Sequence, residues 1–262
     1  MAKRKLQNKR AIITGASSGI GWHLAKQLAA EKVDLIVCAR REERLNELAN
    51  QIKAEGQSCF TVAGDITDPA TRAKLLEACQ SELGGLDIVV NNAGIGAMGR
   101  FDEATPDRMR KVFEVNFFAV ADMIRESLPL LKTGQDPIIV NMSSVLAHRA
   151  APLKSEYCAS KFALHGFSDS IRAELTQNKI DLLLVSPSTT DSEFFDSAIE
   201  DNTRKNWKKG SAMPPEVVAA KTIRAIKKGK HEIILTHGGR FLVLLDRLVP
   251  GIANRIMAKY GQ

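Results

Sequence analysis

Tyr157 and Lys161 stand four positions apart in the stretch SEYCASK, residues 155–161. On a helix that spacing puts both side chains on one face, a single turn apart. An isolated phenol, with a pKa of about 10, is a poor base at neutral pH; a nearby ammonium favours the phenolate and draws the pKa toward the working range. The pair is therefore a candidate for general acid–base proton transfer. Y-x-x-x-K also arises by chance as an ordinary surface pair, so its company decides its meaning.

A second candidate lies near the start. The apolar run AIIT (11–14) leads directly into TGASSGIG, with Gly15, Gly19 and Gly21, and then into a helix-like segment. Glycines there let the backbone turn sharply and approach a pyrophosphate, whose charge meets free N–H groups and the positive end of the helix. The spacing is G-x-x-x-G-x-G rather than the common G-x-G-x-x-G, and a ligand-free tight turn is the alternative. Position at the first strand-to-helix crossover, where doubly wound sheets bind nucleotides, favours the dinucleotide. About 20 residues further on, where an NAD site carries an acid, the chain has Ala39, Arg40 and Arg41. A carboxylate repels a 2′-phosphate and a guanidinium binds one, so NADP(H) is expected over NAD(H). The competing explanation is that both arginines merely open the next helix.

The elements that must position these groups are legible as alternation. Short apolar runs, AIIT, LIVCA (35–39), CFTVAG (59–64), LDIVVN (86–91), PIIVNMS (137–143), DLLLVS (181–186) and EIIL (232–235), alternate with segments of helical apolar spacing. Runs this continuous suit strands buried on both faces, and the alternation implies an α/β, doubly wound parallel sheet with helices on both sides in one domain, 1–262. Two regions depart from the rhythm. Residues 190–212 form a long polar connection with Phe194 and Phe195, of a length that is usually functional or mobile. The tail, 239–260, has an apolar helical stripe of Phe241, Leu245, Leu248, Ile252 and Ile256 broken at Pro250-Gly251.

The chain has 262 residues, 44% hydrophobic and 26% charged, an ordinary globular balance that argues against disorder. No apolar run approaches the roughly 20 residues that span a bilayer, and Cys38, Cys59, Cys79 and Cys158 are scattered, so a cytoplasmic location is expected. The histidines lack metal-ligand spacing, so no metal is expected, and His148, four residues beyond Ser144, reads as a surface loop residue, with a place bordering the substrate as the alternative. The net charge of +7 is concentrated in the N-terminal arm (Lys3, Arg4, Lys5, Lys9, Arg10), in RKNWKK (204–209), and in Lys221, Arg224 and Lys228. The last three are spaced as one solvated helix face, and nucleic-acid binding is not expected.

TGASSGIG, NNAG (91–94), Asn116 in VNF, NMSS (141–144) and YCASK (157–161), in that order, resemble the short-chain dehydrogenase/reductase family over nearly the whole chain. The resemblance implies a seven-stranded Rossmann-type fold and hydride transfer between a nicotinamide cofactor and a carbonyl or alcohol. A cofactor half would span about 8–145 and a catalytic and substrate half about 146–262. By position, Tyr157 would be the general acid/base, and Lys161 would lower its pKa and bond the nicotinamide ribose. Ser144 would orient the substrate oxygen, and Asn116 would hold a water linking Lys161 to solvent. Ser17, Ser18 and Ile20 would line the phosphates with the glycine turn. Asp65 and Ile66 would meet the adenine, and Asn92, with Ala93 and Gly94, would border the adenosine ribose. Thr190 and Ser192 would meet the carboxamide beside Pro187.

Two features temper that transfer. Ser18 stands where many NADP-preferring relatives have a basic residue, leaving the 2′-phosphate to Arg40, with Ser18 and Arg41 in support. Ser188 replaces a glycine usual after Pro187, with loss of freedom in φ. The loop phenylalanines hint at an apolar carbonyl substrate, although they could close onto the core. A regulator that binds NADP(H) without turnover is the alternative function. Family members are commonly homodimers or homotetramers, and the apolar tail suits a subunit interface or pocket cover in preference to its rival, an interfacial membrane helix.

Overall fold

The computed structural model describes residues 4–191, 193–194, 198–199 and 212–260. Each apolar run forms a strand: β1 (Arg10–Thr14), β2 (Asp34–Ala39), β3 (Cys59–Ala63), β4 (Ile88–Asn91), β5 (Ile138–Met142), β6 (Asp181–Ser186) and β7 (Glu232–Ile234). They pair in parallel in the order β3-β2-β1-β4-β5-β6-β7. The chain thus runs outward from β1 to β3, then returns to the other side of β1. The crevice opened by that reversal is where such sheets bind ligands.

Strand alternation divides the core into two layers. Ile13, Val37, Val90 and Val140 face one side, packed by α1 (Gly19–Ala30), α2 (Glu42–Ala54) and α7 (Pro215–Lys227). Ile12, Ile36, Val89 and Ile139 face the other, covered by α3 (Pro69–Leu83), α5 (Ala119–Lys132) and α6 (Ser155–Thr176). Both faces are therefore dry, which is why the strands read as unbroken apolar runs. α4 (Pro106–Phe113) precedes α5, and α8 (His237–Leu248) and α9 (Pro250–Tyr260) end the described chain, with Pro250 opening α9 where the stripe was interrupted.

Charge is placed differently from the sequence expectation at the N-terminus. Arg4 and Lys9 are buried rather than part of a free basic arm. Arg4 bonds Asp181 at 2.6 Å and Asp136, Lys9 donates to the Gln135 carbonyl, and Arg10 pairs with buried Asp87 at 2.9 Å. Lys221, Arg224 and Lys228 are exposed as expected. Lys3 and 204–209 lie outside the described residues.

One ion pair holds α6 at its root. Arg108 of α4 and Glu156, the residue before Tyr157, are both buried and meet at 2.6 Å, with Arg108 also donating to the Met98 carbonyl. Burial alone would raise the Glu156 carboxyl, but the Arg108 and Ser155 hydrogen bonds hold it below the ordinary carboxylate value. A depressed carboxylate adds stability above its unfolded pKa and loses it as pH falls through the folded one. We predict that Arg108→Met, which strands a buried carboxylate, lowers stability by about 3–5 kcal/mol, and that Arg108→Met with Glu156→Leu recovers most of it. Urea unfolding at neutral pH measures both; a single variant within about 1 kcal/mol of the parent would contradict the assignment.

Candidate functional site

The glycine turn is packed against the end of β4 with no room for side chains. Gly15 has φ +66°, and a Cβ there would lie 2.8 Å from Ala93 Cα; at Gly21 it would lie 2.3 Å from the Gly15 carbonyl oxygen. The Asn92 carboxamide donates to the Thr14 and Gly15 carbonyls at 2.9 and 3.0 Å, and Thr14 Oγ1 accepts from the Asn92 and Ala93 N–H groups. Asn92 is thus a tie between β1 and β4 as well as part of the cavity wall. α1 begins at Gly19 with no acid in its first turn, leaving its free N–H groups facing an electropositive end.

A cavity of about 530 Å³ runs from this turn across the ends of the strands. Its wall includes the expected Gly15, Ser17, Ser18, Gly19, Ile20, Arg40, Arg41, Asp65, Ile66, Asn92, Ala93, Gly94, Pro187 and Thr190, together with Ser144, Tyr157 and Lys161. Gly21 and Asn116 support the wall from behind, and Ser192 lies outside the described residues. Ser143 Oγ, also on the wall, is buried with no hydrogen-bond partner among the described residues. A cradle with no space for Cβ atoms, a free helix N-terminus and an orphan hydroxyl suit a dinucleotide.

The two arginines after β2 separate in role. Arg41 is the residue before α2; it bonds Ser17 Oγ at 3.2 Å and Glu193 at 2.9 Å, bridging the glycine turn and the segment after β6. Arg40 is exposed on the cavity wall and has no hydrogen bond or ion pair among the described residues. Among the described residues its guanidinium is available to an incoming anion at this end.

At the other end α6 carries Tyr157 and Lys161 on the same side, both buried. Ser144 stands beside the Tyr157 phenol and favours its ionised form, and Ser144 Oγ caps the Val145–Ala147 turn by accepting from Leu146 N–H at 3.1 Å. Lys161 Nζ donates to the Met142 carbonyl at 2.9 Å and stands 5.8 Å from the centre of the Tyr157 ring. The electrostatics reverse one expectation. Burial pushes the Tyr157 phenol up to about 12 despite the opposing effect of Ser144, and pushes the Lys161 ammonium down to about 8. Desolvation dominates both shifts and disfavours each charged form, so the phenol holds its proton and the ammonium gives its own up more readily than a solvated lysine.

Asn116 sits in a π-helical turn, Glu114–Phe118, where Ala119 N–H reaches back five residues to the Glu114 carbonyl. Its side-chain N–H groups both go to protein, to the Ile95 carbonyl and Ser160 Oγ at 3.0 Å, while its Oδ1 accepts from Ile95 N–H. The side chain is thus a clamp on the loop after β4. Such bulges cluster at functional sites, and nothing in the local residue types announces this one.

Three further departures appear. Ser188 has no positive φ, so the missing glycine costs no strain; its hydroxyl instead bonds Thr236 Oγ1 at 2.7 Å, joining the cavity wall to α8. His148 is not a surface residue: its side chain is 3% exposed and bonds Glu232 and Ser186 at 3.1 and 3.2 Å. His148, His165 and Glu232 bring ligand-type atoms within 4.8 Å of one another, a grouping made by the turn after β5, α6 and β7 that sequence spacing could not reveal. Phe194 does not close onto the core; it stacks edge-on against Tyr157, 5.7 Å between ring centres, while Phe195 lies outside the described residues.

Known proteins repeat this arrangement. Residues 9–203 match the family model described as short chain dehydrogenase. A mouse (Mus musculus) protein, "Dehydrogenase/reductase SDR family member 7B", is 31% identical over 98% of this chain and 82% of its own. A Burkholderia cenocepacia short chain dehydrogenase solved in complex with NADP is 30% identical, with a TM-score of 0.78 over 87% of this chain and 96% of that one. A Burkholderia phymatum short chain dehydrogenase/reductase in complex with NAD has the same fold, with a TM-score of 0.86 over 95% and 96% of the two chains at 24% identity. The chain therefore belongs to the short chain dehydrogenases, oxidoreductases that use a nicotinamide cofactor.

Proposed function

We propose that the protein is an NADP(H)-preferring oxidoreductase that interconverts an apolar carbonyl compound and its alcohol, with Tyr157 as proton donor and acceptor. The observation that carries this reading is the grouping of Tyr157, Lys161 and Ser144 on the wall of the cavity that begins at the glycine turn. The bound nicotinamide cofactor would supply or accept the hydride. Gly15, Ser17, Ser18, Gly19, Ile20 and Gly21 would hold its phosphates, Asp65, Ile66, Asn92, Ala93 and Gly94 its adenosine end, and Pro187, Thr190 and Ser192 its carboxamide. Arg40 would take the 2′-phosphate, supported by its unpaired state, with Arg41 held back by Ser17 and Glu193.

On this reading Ser144 orients the substrate oxygen, and Tyr157, protonated through the neutral range, delivers its proton to that oxygen as the carbon is reduced. Lys161 replaces the proton. Asn116 contributes to that relay through the shape of the π turn and its main-chain carbonyl, since both side-chain N–H groups are spent. Phe194 beside Tyr157 supports an apolar substrate. Exposed Phe118, at the end of the π turn before α5, and Phe162 of α6 support assembly into a homodimer or homotetramer. A cytoplasmic location completes the reading.

Three outcomes are expected. Tyr157→Phe lowers NADPH-dependent turnover of a responsive ketone by about 10²–10⁴ with NADPH affinity little changed; parent-level turnover would exclude the mechanism. Reductive kcat/KM is flat at low pH and declines as pH rises through about 8, where buried Lys161 loses its proton. A decline at the same pH in Lys161→Arg would assign it to another group. Arg40→Ala weakens NADPH binding by about 10- to 100-fold and leaves NADH binding unchanged, as measured by fluorescence titration. Equal losses for both cofactors would remove Arg40 from 2′-phosphate recognition.

A further inference from the structure

α8 and α9 expose an apolar face that nothing among the described residues covers. Phe241, Leu244 and Leu248 recur along one side of α8 at 66%, 54% and 71% exposure, and Ile252 and Ile256 continue the face on α9 at 49% and 37%. The opposite sides bury Val243 and Ala253, so the helices are packed elements with one side left over. Exposed Arg240, Arg247 and Arg255 flank that side. From His237 to the end of the sequence the basic residues are joined by Lys259, and Asp246 is the sole acid. Asp246 is already neutralised by Arg149 at 2.7 Å.

We propose that α8 and α9 seat the protein on an anionic lipid surface, lying in the plane of the headgroups. A helix with an apolar side and arginines along its flanks fits that interface, where acyl chains meet the one and acidic headgroups the other. A second copy of the chain fits less well. A two-fold contact sets a patch against itself, and here it would oppose arginine rims with no free carboxylate in either helix pair. The helices lie on the surface rather than crossing it: α8 and α9 have 12 and 11 residues, and no helix among the described residues is long and apolar enough to span.

The docking face is fixed to the cavity by two ties. Thr236, which caps α8, bonds Ser188 of the cavity wall, and Arg149, just beyond the Val145–Ala147 turn, bonds both Asp246 and Asn254 at 2.7 Å. Resting on the oxidoreductase reading, the substrate class is then a carbonyl or alcohol dissolved in the bilayer, delivered to a cavity held in a set relation to the lipid.

The test is co-sedimentation of the full-length protein with phosphatidylcholine vesicles and with mixed phosphatidylcholine–phosphatidylserine vesicles, with NADPH oxidation by a water-soluble ketone followed in parallel. Binding is expected to the mixed vesicles and to fall with salt. Arg247→Glu with Arg255→Glu should reduce partition at least about tenfold, and Leu244→Asp with Leu248→Asp should abolish it. Both variants should keep parent turnover of the soluble ketone, which reports that they are folded. The proposal is overturned if the parent stays in the supernatant with mixed vesicles, or if the leucine variant partitions like the parent. It is equally overturned if sedimentation velocity shows the leucine substitutions splitting a lipid-free dimer while vesicles capture none of the parent. Absence of turnover with every ketone would fail the oxidoreductase reading while leaving vesicle binding as its own readout.

Discussion

The junction between the end of β1 and the end of β4 sets the rest of the site. The Asn92 carboxamide and the Thr14 hydroxyl cross-link the two strands just where their connections diverge, and that pins the glycine turn against Ala93 at a separation no Cβ tolerates. With the turn held there, the N-terminus of α1 has one direction in which to point. The wall from Arg40 to Tyr157 is then continuous, because each remaining contributor follows the C-terminal end of a parallel strand or sits on the helix beside it. The sheet is thus less a scaffold with a site added than a set of strand ends whose order creates the crevice.

The proposed proton-transfer end depends on dryness. Tyr157 and Lys161 are buried, and the resulting desolvation moves the phenol up and the ammonium down, toward the neutral form of each. Buried charge is compensated at the same helix by the Arg108–Glu156 pair, one residue before the tyrosine. Its geometry fixes where α6 begins, and therefore which direction the phenol faces.

Much of this was legible in the residues themselves. Strands buried on both faces must be apolar throughout, so all seven runs were recognisable and the strand bounds moved by at most two residues. The glycine turn was equally visible, since its composition is dictated by backbone geometry. What stayed hidden depended on partners far away in sequence. Arg108 looks like any helix-surface arginine until Glu156, 48 residues later, meets it in the interior. Arg4 and Lys9 look like a solvated arm until Asp181, Asp136 and the Gln135 carbonyl close over them. His148 was read as a surface residue because Glu232, its partner, belongs to the last strand. The π turn at Asn116 lies in a stretch whose residue types suit an ordinary helix. Burial of polar groups is a property of the assembled fold, and local composition carries little trace of it.

The cysteines close the account from another direction. Cys38, Cys59, Cys79 and Cys158 are all buried, and burial raises each thiol, the first three to about 12. A thiol that does not ionise is a weak nucleophile toward peroxide or disulfide. Cys158, although adjacent to Tyr157, is thus held as the buried neutral thiol, its less reactive form. A cysteine introduced at the surface would be the single site open to thiol-directed labels among the described residues.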